Sequence, residues 1–214
     1  MLLIGPPGAG KGTQAKLLEE RFDVPHISSG DLLRSAVKRK TPMGVQAKRF
    51  MDRGELVPDD VVMGAMKERL QRNDCARGFI LDGFPRTVPQ ADALAAILAD
   101  MGTRLDHVVS IMVPREELVK RLSGRRTCRD CGTMYHIIFD PPSNPGICNK
   151  CNGELYQRDD DQEDTIIARL DVYDRQTAPV LAAYRERGQL REIDGVGSQD
   201  QVCSRILQRV EAGS

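Results

Sequence analysis

Residues 1–13 constrain the fold of this chain more than any other stretch. The first four are apolar and run straight into a turn containing Gly5, Gly8 and Gly10. Lys11, Gly12 and Thr13 follow, and then an amphipathic stretch over residues 14–22. That order is strand, glycine-rich turn, helix. The interval from Gly5 to Lys11 fits the frame G-x-x-x-x-G-K, whose backbone N–H groups wrap a polyphosphate while the lysine reaches its outer phosphates. The glycines let the backbone turn tightly with its N–H groups inward, and the helix starting near Lys11 adds its positive end. A glycine-rich turn without phosphate chemistry would not need the preceding strand, the lysine and the following helix together. The residue after Lys11 is Gly12 rather than Ser or Thr, so the hydroxyl that would hold Mg²⁺ stands one place late, on Thr13.

The remainder alternates strand and helix patterns. A short strand-like stretch at residues 24–27 leads into helical patterns at 32–40, capped by Ser29 or Asp31, and at 42–52, stopped by Gly54. No strand interrupts residues 28–57, which read as an inserted helical arm. A helix follows from Pro58 to about Arg72. Residues 78–82 form a strand ending on Asp82, 89–101 an alanine- and leucine-rich helix, and 107–113 a β-branched strand of the kind buried on both faces. After a helix at 115–122, residues 124–161 turn polar and read as a second insertion. Helical periodicity resumes at 163–187, with a boundary near Pro179. A last strand at 190–193 and a helix at 199–211 complete the pattern. Strands alternating with helices, with acids and glycines at strand ends, describe an open parallel sheet with ligands along one edge. With 214 residues, one substantial core and small insertions are expected.

Four of the six cysteines form two close pairs, Cys128/Cys131 and Cys148/Cys151, sixteen residues apart. Each pair places two thiolates on a tight turn, and together they surround one ion tetrahedrally with no ligand position left open, a structural arrangement. A polar segment this short has little core of its own and needs a staple. Zinc is the default ion and another thiophilic metal the alternative. Two disulfides are the non-metal reading, disfavoured in a cytosolic setting. Cys75 and Cys203 stand alone and read as core residues.

Several arginines lie beside insertions and loops: Arg34, Arg86, Arg125, Arg126, Arg158 and Arg169. A lone surface arginine is ordinarily a solvated charge. Here 31 basic residues are balanced by 31 acidic ones, so a cluster beyond the strand ends would suit phosphoryl transfer, which depends on positioning and charge neutralisation. Asp82 stands where an acid would meet Mg²⁺ or its waters; the alternative role is a helix cap or turn. His26, His107 and His136 show no pattern requiring acid–base chemistry.

Taken together, these residues resemble the adenylate kinase family, in its bacterial form with a long, zinc-bearing lid. The matching pieces are the loop from Gly5 to Thr13, residues 27–31, residues 82–87 with Gln90, residues 124–126, and residues 158–163 with Arg169, in order along essentially the whole chain. The resemblance implies reversible, Mg²⁺-dependent phosphoryl transfer between ATP and AMP giving two ADP. It implies an α/β fold with a parallel five-stranded sheet of the P-loop kinase type flanked by helices. Core (1–27, 58–123, 162–214), AMP-binding arm (28–57) and zinc-stapled lid (124–161) would be distinct domains.

By position, Gly8, Ala9, Gly10, Lys11, Gly12 and Thr13 would hold the ATP phosphates, and Arg121, Arg125, Met134, Tyr135 and Gly197 would meet ATP elsewhere. Ser29, Arg34, Glu55, Leu56, Val57, Gly83, Phe84, Pro85, Arg86 and Gln90 would surround AMP, with Gln90 reading the adenine. Arg158 and Arg169 would grip the AMP phosphate or the moving phosphoryl group. Asp82 would orient the Mg²⁺ water shell, and the family also carries glycine at position 12. The peptide before Pro85 is expected to be cis. Ser29 replaces a common threonine, and the short lead-in before Gly5 is expected to trim stability more than chemistry.

The rivals are a UMP or CMP kinase of the same fold and a zinc-knuckle binding protein with a nucleotide switch. Gln90 and the long lid favour AMP. Zero net charge and the absence of aromatic interleaving around the knuckles disfavour nucleic acid. No 18-residue apolar run and no signal-peptide pattern occur, so a cytoplasmic monomer without membrane contact is expected.

Overall fold

Leu2, Leu3 and Ile4 are all almost fully buried, although successive strand side chains point to opposite faces. Their strand, β1 (Leu2–Ile4), must therefore be covered on both sides. In the computed structural model, which describes residues 1–211, it is the central strand of a parallel sheet. After β1 come α1 (Lys11–Phe22), β2 (His26–Ser28), α2 (Ser29–Lys38), α3 (Pro42–Met51) and α4 (Asp59–Leu70). Next are β3 (Ile80–Asp82), α5 (Val88–Asp100), β4 (Val108–Met112) and α6 (Arg115–Ser123). Three short strands follow: β5 (Arg125–Cys128), β6 (Met134–His136) and β7 (Leu155–Tyr156). The chain ends with α7 (Glu163–Val172), a π-helical turn (Tyr173–Thr177), α8 (Ala178–Glu186), β8 (Leu190–Asp194) and α9 (Gln199–Glu211).

The main sheet has the order β2-β3-β1-β4-β8, and every pairing is parallel. Side-chain alternation divides the core in two. Leu2, Ile4, Leu81 and Val108 face one helical layer, with Leu94, Leu98 and Tyr184. Leu3, Ile80, Val109 and Ile111 face the other, with Leu18, Leu122, Ile166 and Ile206. Each large aliphatic side chain buried this way contributes about 1.5–3 kcal/mol. Register then fixes the working edge. Asp82 pairs with Leu3 on one side and Ser28 on the other, so β1, β2 and β3 end together. The chain leaves β3 on one side of β1 and re-enters as β4 on the other, which opens a crevice at the strand ends.

The five strands and the long helices fall where the sequence pattern places them, and the differences are local. The cap of α2 is Ser28, whose Oγ accepts from the Asp31 N–H at 3.3 Å, rather than Ser29 or Asp31. The extended backbone of β2 carries Ser28 to the one position from which its hydroxyl reaches the free amide. The boundary near Pro179 is preceded by the π turn, and Pro179 sits in the first turn of α8, where its missing N–H costs no bond. The second insertion contains an antiparallel sheet, β6-β5-β7, absent from the sequence pattern. Among the described residues no helix is long and apolar enough to cross a membrane.

The pair α2 and α3 packs backbone to backbone at one point. A Cβ built on Gly44 would overlap the Ala36 carbonyl of the facing helix. Gly44→Ala should therefore force the two helices apart and cost about 1–3 kcal/mol. The check is thermal denaturation, in which a melting temperature equal to the parent's would show that the helices have room to spare.

Candidate active site

Gly10 caps α1 with a left-handed backbone, φ 91°, and no side chain caps the amides behind it. Those N–H groups are free to meet an anion. Gly8, with φ 86°, lies so close to α6 that a Cβ there would approach Leu122 Cγ at 3.0 Å and the Leu118 carbonyl at 3.2 Å. The loop thus lies against α6 only because Gly8 has no side chain. Lys11 folds back over the loop and donates to the Gly5 and Pro6 carbonyls at 2.7 and 2.9 Å. Its ammonium is held by weak neutral acceptors that a phosphate can replace. Burial pushes Lys11 down to about 8; Asp82 works against that shift, and Arg86, Arg169 and Arg125 add to it.

Asp82 ends β3 beside this loop. Burial favours its neutral form, but the His26 side chain, Lys11 and Arg86 outweigh it and hold the carboxyl below its usual range. His26 Nε2 lies 3.4 Å from Asp82 Oδ2, a relation the sequence alone did not suggest. An ionised carboxylate at the cleft suits a hard cation arriving with a polyphosphate. A Cβ on Gly12 would stand 3.4 Å from both Asp82 Oδ2 and Met134 Cε. Gly12 thus lies beside both the carboxylate and a methionine from β6.

The cleft at this edge has a volume of about 1670 Å³. It is lined by the loop from Gly8 to Thr13, including Ala9, by Asp82, Gly83, Pro85, Arg34 and Leu56, and by Arg86, Arg121, Arg125, Met134, Tyr135, Arg158, Arg169 and Gly197. A side pocket between α2, the end of α3 and the loop after β3 is lined by Ser29, Arg34, Glu55, Leu56, Val57 and Gln90. Phe84 stands apart: its ring is fully buried in the core, and the Phe84–Pro85 peptide is cis. Ser29 Oγ donates to the Gly83 carbonyl, and Arg86 Nε donates to the same oxygen at 2.7 Å. Arg121 donates to Glu117 and to the Gly195 carbonyl, both at 3.2 Å. The small sheet roofs the cleft. Besides Met134 over Gly12, Lys38 of α2 reaches the Arg129 carbonyl at 3.4 Å.

Two acids with no role evident from the sequence organise the arginines. Asp161 is fully buried and accepts from Arg125 Nε at 2.7 Å and from Arg169 Nη1 at 3.1 Å. Asp160 pairs with Arg158, and its carbonyl accepts from Arg169 at 2.6 Å. Burial works to raise Asp160, but Arg169 and Arg158 keep it far below the usual carboxylate range. Burial pulls Arg169 down to about 10, with Asp160 opposing. The signal available in advance was the run of acids at 159–161 between two arginines, but its pairing depends on the fold.

In the small sheet all four Sγ atoms of Cys128, Cys131, Cys148 and Cys151 lie within 4.8 Å of one another. Cys128 and Cys151 are 3.4 Å apart, and Cys131 and Cys148 3.6 Å. These separations are near the ~3.8 Å edge of a tetrahedron with metal–sulfur bonds of ~2.3 Å, and far above a ~2.05 Å disulfide bond. The quartet fits a structural zinc ion, with Cys128, Cys131, Cys148 and Cys151 as its four sulfur ligands. Tyr135 serves it too: its hydroxyl lies 3.4 Å from Cys148 Sγ and accepts from the Asn149 N–H at 2.9 Å.

Cys128→Ser should lose bound zinc and lower the melting temperature by about 5–10 °C. Calorimetry with metal analysis on the same sample decides it, and unchanged melting would remove the structural role. Lys11 makes a separate prediction. Its folded value lies below that of a free lysine, so its charged form is lost as pH rises through about 8. ATP affinity should be flat near neutrality and fall up to about tenfold per unit well above pH 8. Calorimetric titration should show proton uptake on binding there, and a flat profile to pH 9.5 would contradict it.

The family model for adenylate kinase matches residues 3–189. The chain is 59% identical over 211 residues to an adenylate kinase of Geotalea uraniireducens, covering 99% of this chain and 97% of that protein. It is 58% identical over 207 residues to one of Geotalea daltonii, covering 97% of both chains. A third, from Syntrophotalea carbinolica, is 58% identical over 213 residues, covering 100% of this chain and 99% of that protein. A phosphate loop at the centre of a parallel sheet, an arginine cluster across from it and a thiolate quartet in the roof all agree with that likeness, and the chain belongs to the adenylate kinase family.

Proposed function

We infer that the two parts of the cleft hold two nucleotides at once, and that the residues between them carry the phosphoryl group across. The reaction is reversible transfer between ATP and AMP, giving two ADP, and the relatives named above carry that activity in their name. The observation that supports the assignment of roles is the cationic cluster. Arg86, Arg125, Arg158 and Arg169 border the cleft together with Lys11, and the Gln90 pocket opens beside them.

In this reading the amides from Gly8 to Thr13 and Lys11 bind the ATP phosphates, while Arg121, Met134, Tyr135 and Gly197 contact the rest of ATP. Arg34 and Arg86 take the AMP phosphate, and the pocket of Ser29, Glu55, Leu56, Val57 and Gln90 takes its nucleoside. Arg125, Arg158 and Arg169 face the moving group and absorb the charge that spreads over its oxygens. Mg²⁺ bound with ATP would supply further charge neutralisation, and Asp82 would hold it through its waters. No side chain has to abstract a proton, because the attacking AMP phosphate oxygen is already ionised. Alignment and exclusion of water are what the protein must provide.

The division into core (1–27, 58–123, 162–214), arm (28–57) and lid (124–161) follows from the same reading, as the two insertions flank the cleft. Both subsites lie in one chain, which suits a monomer, and a thiolate quartet suits the reducing cytoplasm. Lys11→Met and Arg86→Ala should each cut kcat by about 100-fold or more with little change in melting temperature. A coupled assay run with the four nucleoside monophosphates tests both this and the UMP or CMP alternative. Near-normal turnover in either variant would end the proposed role of that residue, and preference for a pyrimidine would end the AMP assignment.

A further inference from the structure

Gln90 is almost fully buried, and both ends of its amide have fixed partners. Nε2 donates to Asp59 Oδ1 at 2.7 Å, and Oε1 accepts from the Arg86 N–H at 2.7 Å. Asp59 opens α4, and its other oxygen accepts from the Thr87 hydroxyl at 2.9 Å. Thr87 Oγ1 in turn caps α5 by accepting from the Gln90 N–H at 3.2 Å. Asp59, Thr87 and Gln90 therefore form a closed ring of hydrogen bonds between the first turns of two helices.

The ring removes a freedom that glutamine normally has. An amide can turn over at little steric cost, exchanging its donor and acceptor ends. A carboxylate only accepts and a backbone N–H only donates, so here a reversed amide would face repulsion at both ends. One N–H of Nε2 and one lone pair of Oε1 remain for the pocket. That pair matches a 6-aminopurine, whose N1 accepts and whose amino group donates. A 6-oxopurine presents the opposite, a donor at N1 and an acceptor at O6.

We propose that Asp59 is a specificity-determining positioning residue, which locks the Gln90 amide in the orientation that accepts adenine and rejects hypoxanthine and guanine. The proposal rests on the reading of Gln90 as the contact for the adenine of AMP. A purely architectural Asp59 would tie α4 to α5 and affect all monophosphates alike.

Asp59→Asn keeps the shape of the side chain but offers Gln90 a donor as readily as an acceptor, and Asp59→Ala offers neither. Both are assayed with ATP as donor and AMP or IMP as acceptor, and their melting temperatures are recorded. The expected result is a fall of about tenfold in the AMP-to-IMP ratio of kcat/KM in either variant, carried mainly by a higher KM for AMP. A ratio within about twofold of the parent's in both variants overturns the proposal, whatever happens to stability. Gln90→Leu separates this from failure of the underlying reading. If that variant keeps the parent's preference for AMP, Gln90 does not read the base and both fall. If it loses the preference while the Asp59 variants retain theirs, only the Asp59 proposal falls. Asp59→Asn added to Gln90→Leu should leave the ratio within about twofold, since no amide remains to orient.

Discussion

Like charges gathered in a partly buried cleft repel one another, and each loses hydration that water would have supplied. Arg125, Arg158 and Arg169 tolerate this because Asp160 and Asp161 lie among them. The rest of the site depends on that pairing. Asp161 joins Arg125 of β5 to Arg169 of α7, so one buried carboxylate ties the small sheet to the main body. The carboxylates also fix where the guanidinium groups stand before any nucleotide arrives. Charge already in position needs no reorganisation when a phosphoryl group moves past it, and in a low-dielectric cleft it acts more strongly than in water.

The phosphate loop and the small sheet achieve rigidity by different means. The loop has the central strand behind it and α6 beneath it, so bulk apolar burial holds it. The small sheet has a core of only Cys128, Tyr135, Cys148 and Leu155. So little apolar surface cannot offset the entropy of ordering three short strands, and the metal-binding thiolates supply what is missing. Stability there is therefore separable from the chemistry of the cleft, although β5 carries both Arg125 and Cys128.

How much of this was legible in the sequence depends on how local each feature is. The loop from Gly5 to Thr13 and the cysteine pairs are contiguous or closely spaced, and their chemistry follows from spacing alone. The inner strands β1, β3 and β4 are buried on both faces and announce themselves as apolar runs, whereas the edge strands β2 and β8 are only partly buried and mix in polar residues. The strands β5, β6 and β7 are two to four residues long and mix polar with apolar groups, so no periodicity marks them. Asp161 was visible as an acid, but its pairing with Arg125 spans 36 positions, and Asp59 meets Gln90 across 31. Such contacts exist only after the sheet has set its register. The displaced cap of α2 has the same origin, since the end of β2 is fixed by its pairing with β3 and not by its own residues.

Gly12 brings the local and the non-local together. In the sequence it is a glycine where a hydroxyl is expected, and Asp82 reads as the substitute ligand for the cation. The fold adds what surrounds that position. Met134 of β6 comes down onto the loop at that position, and a Cβ would bring the roof and the carboxylate into contact with it at once. Met134 thus brings the roof down over the loop at this position. Seating matters because a phosphoryl group exposed to water would be lost to hydrolysis, while one sealed among fixed cations has only the second nucleotide to attack it. A roof over the loop thus lets a charge-neutralising site also be a dry one.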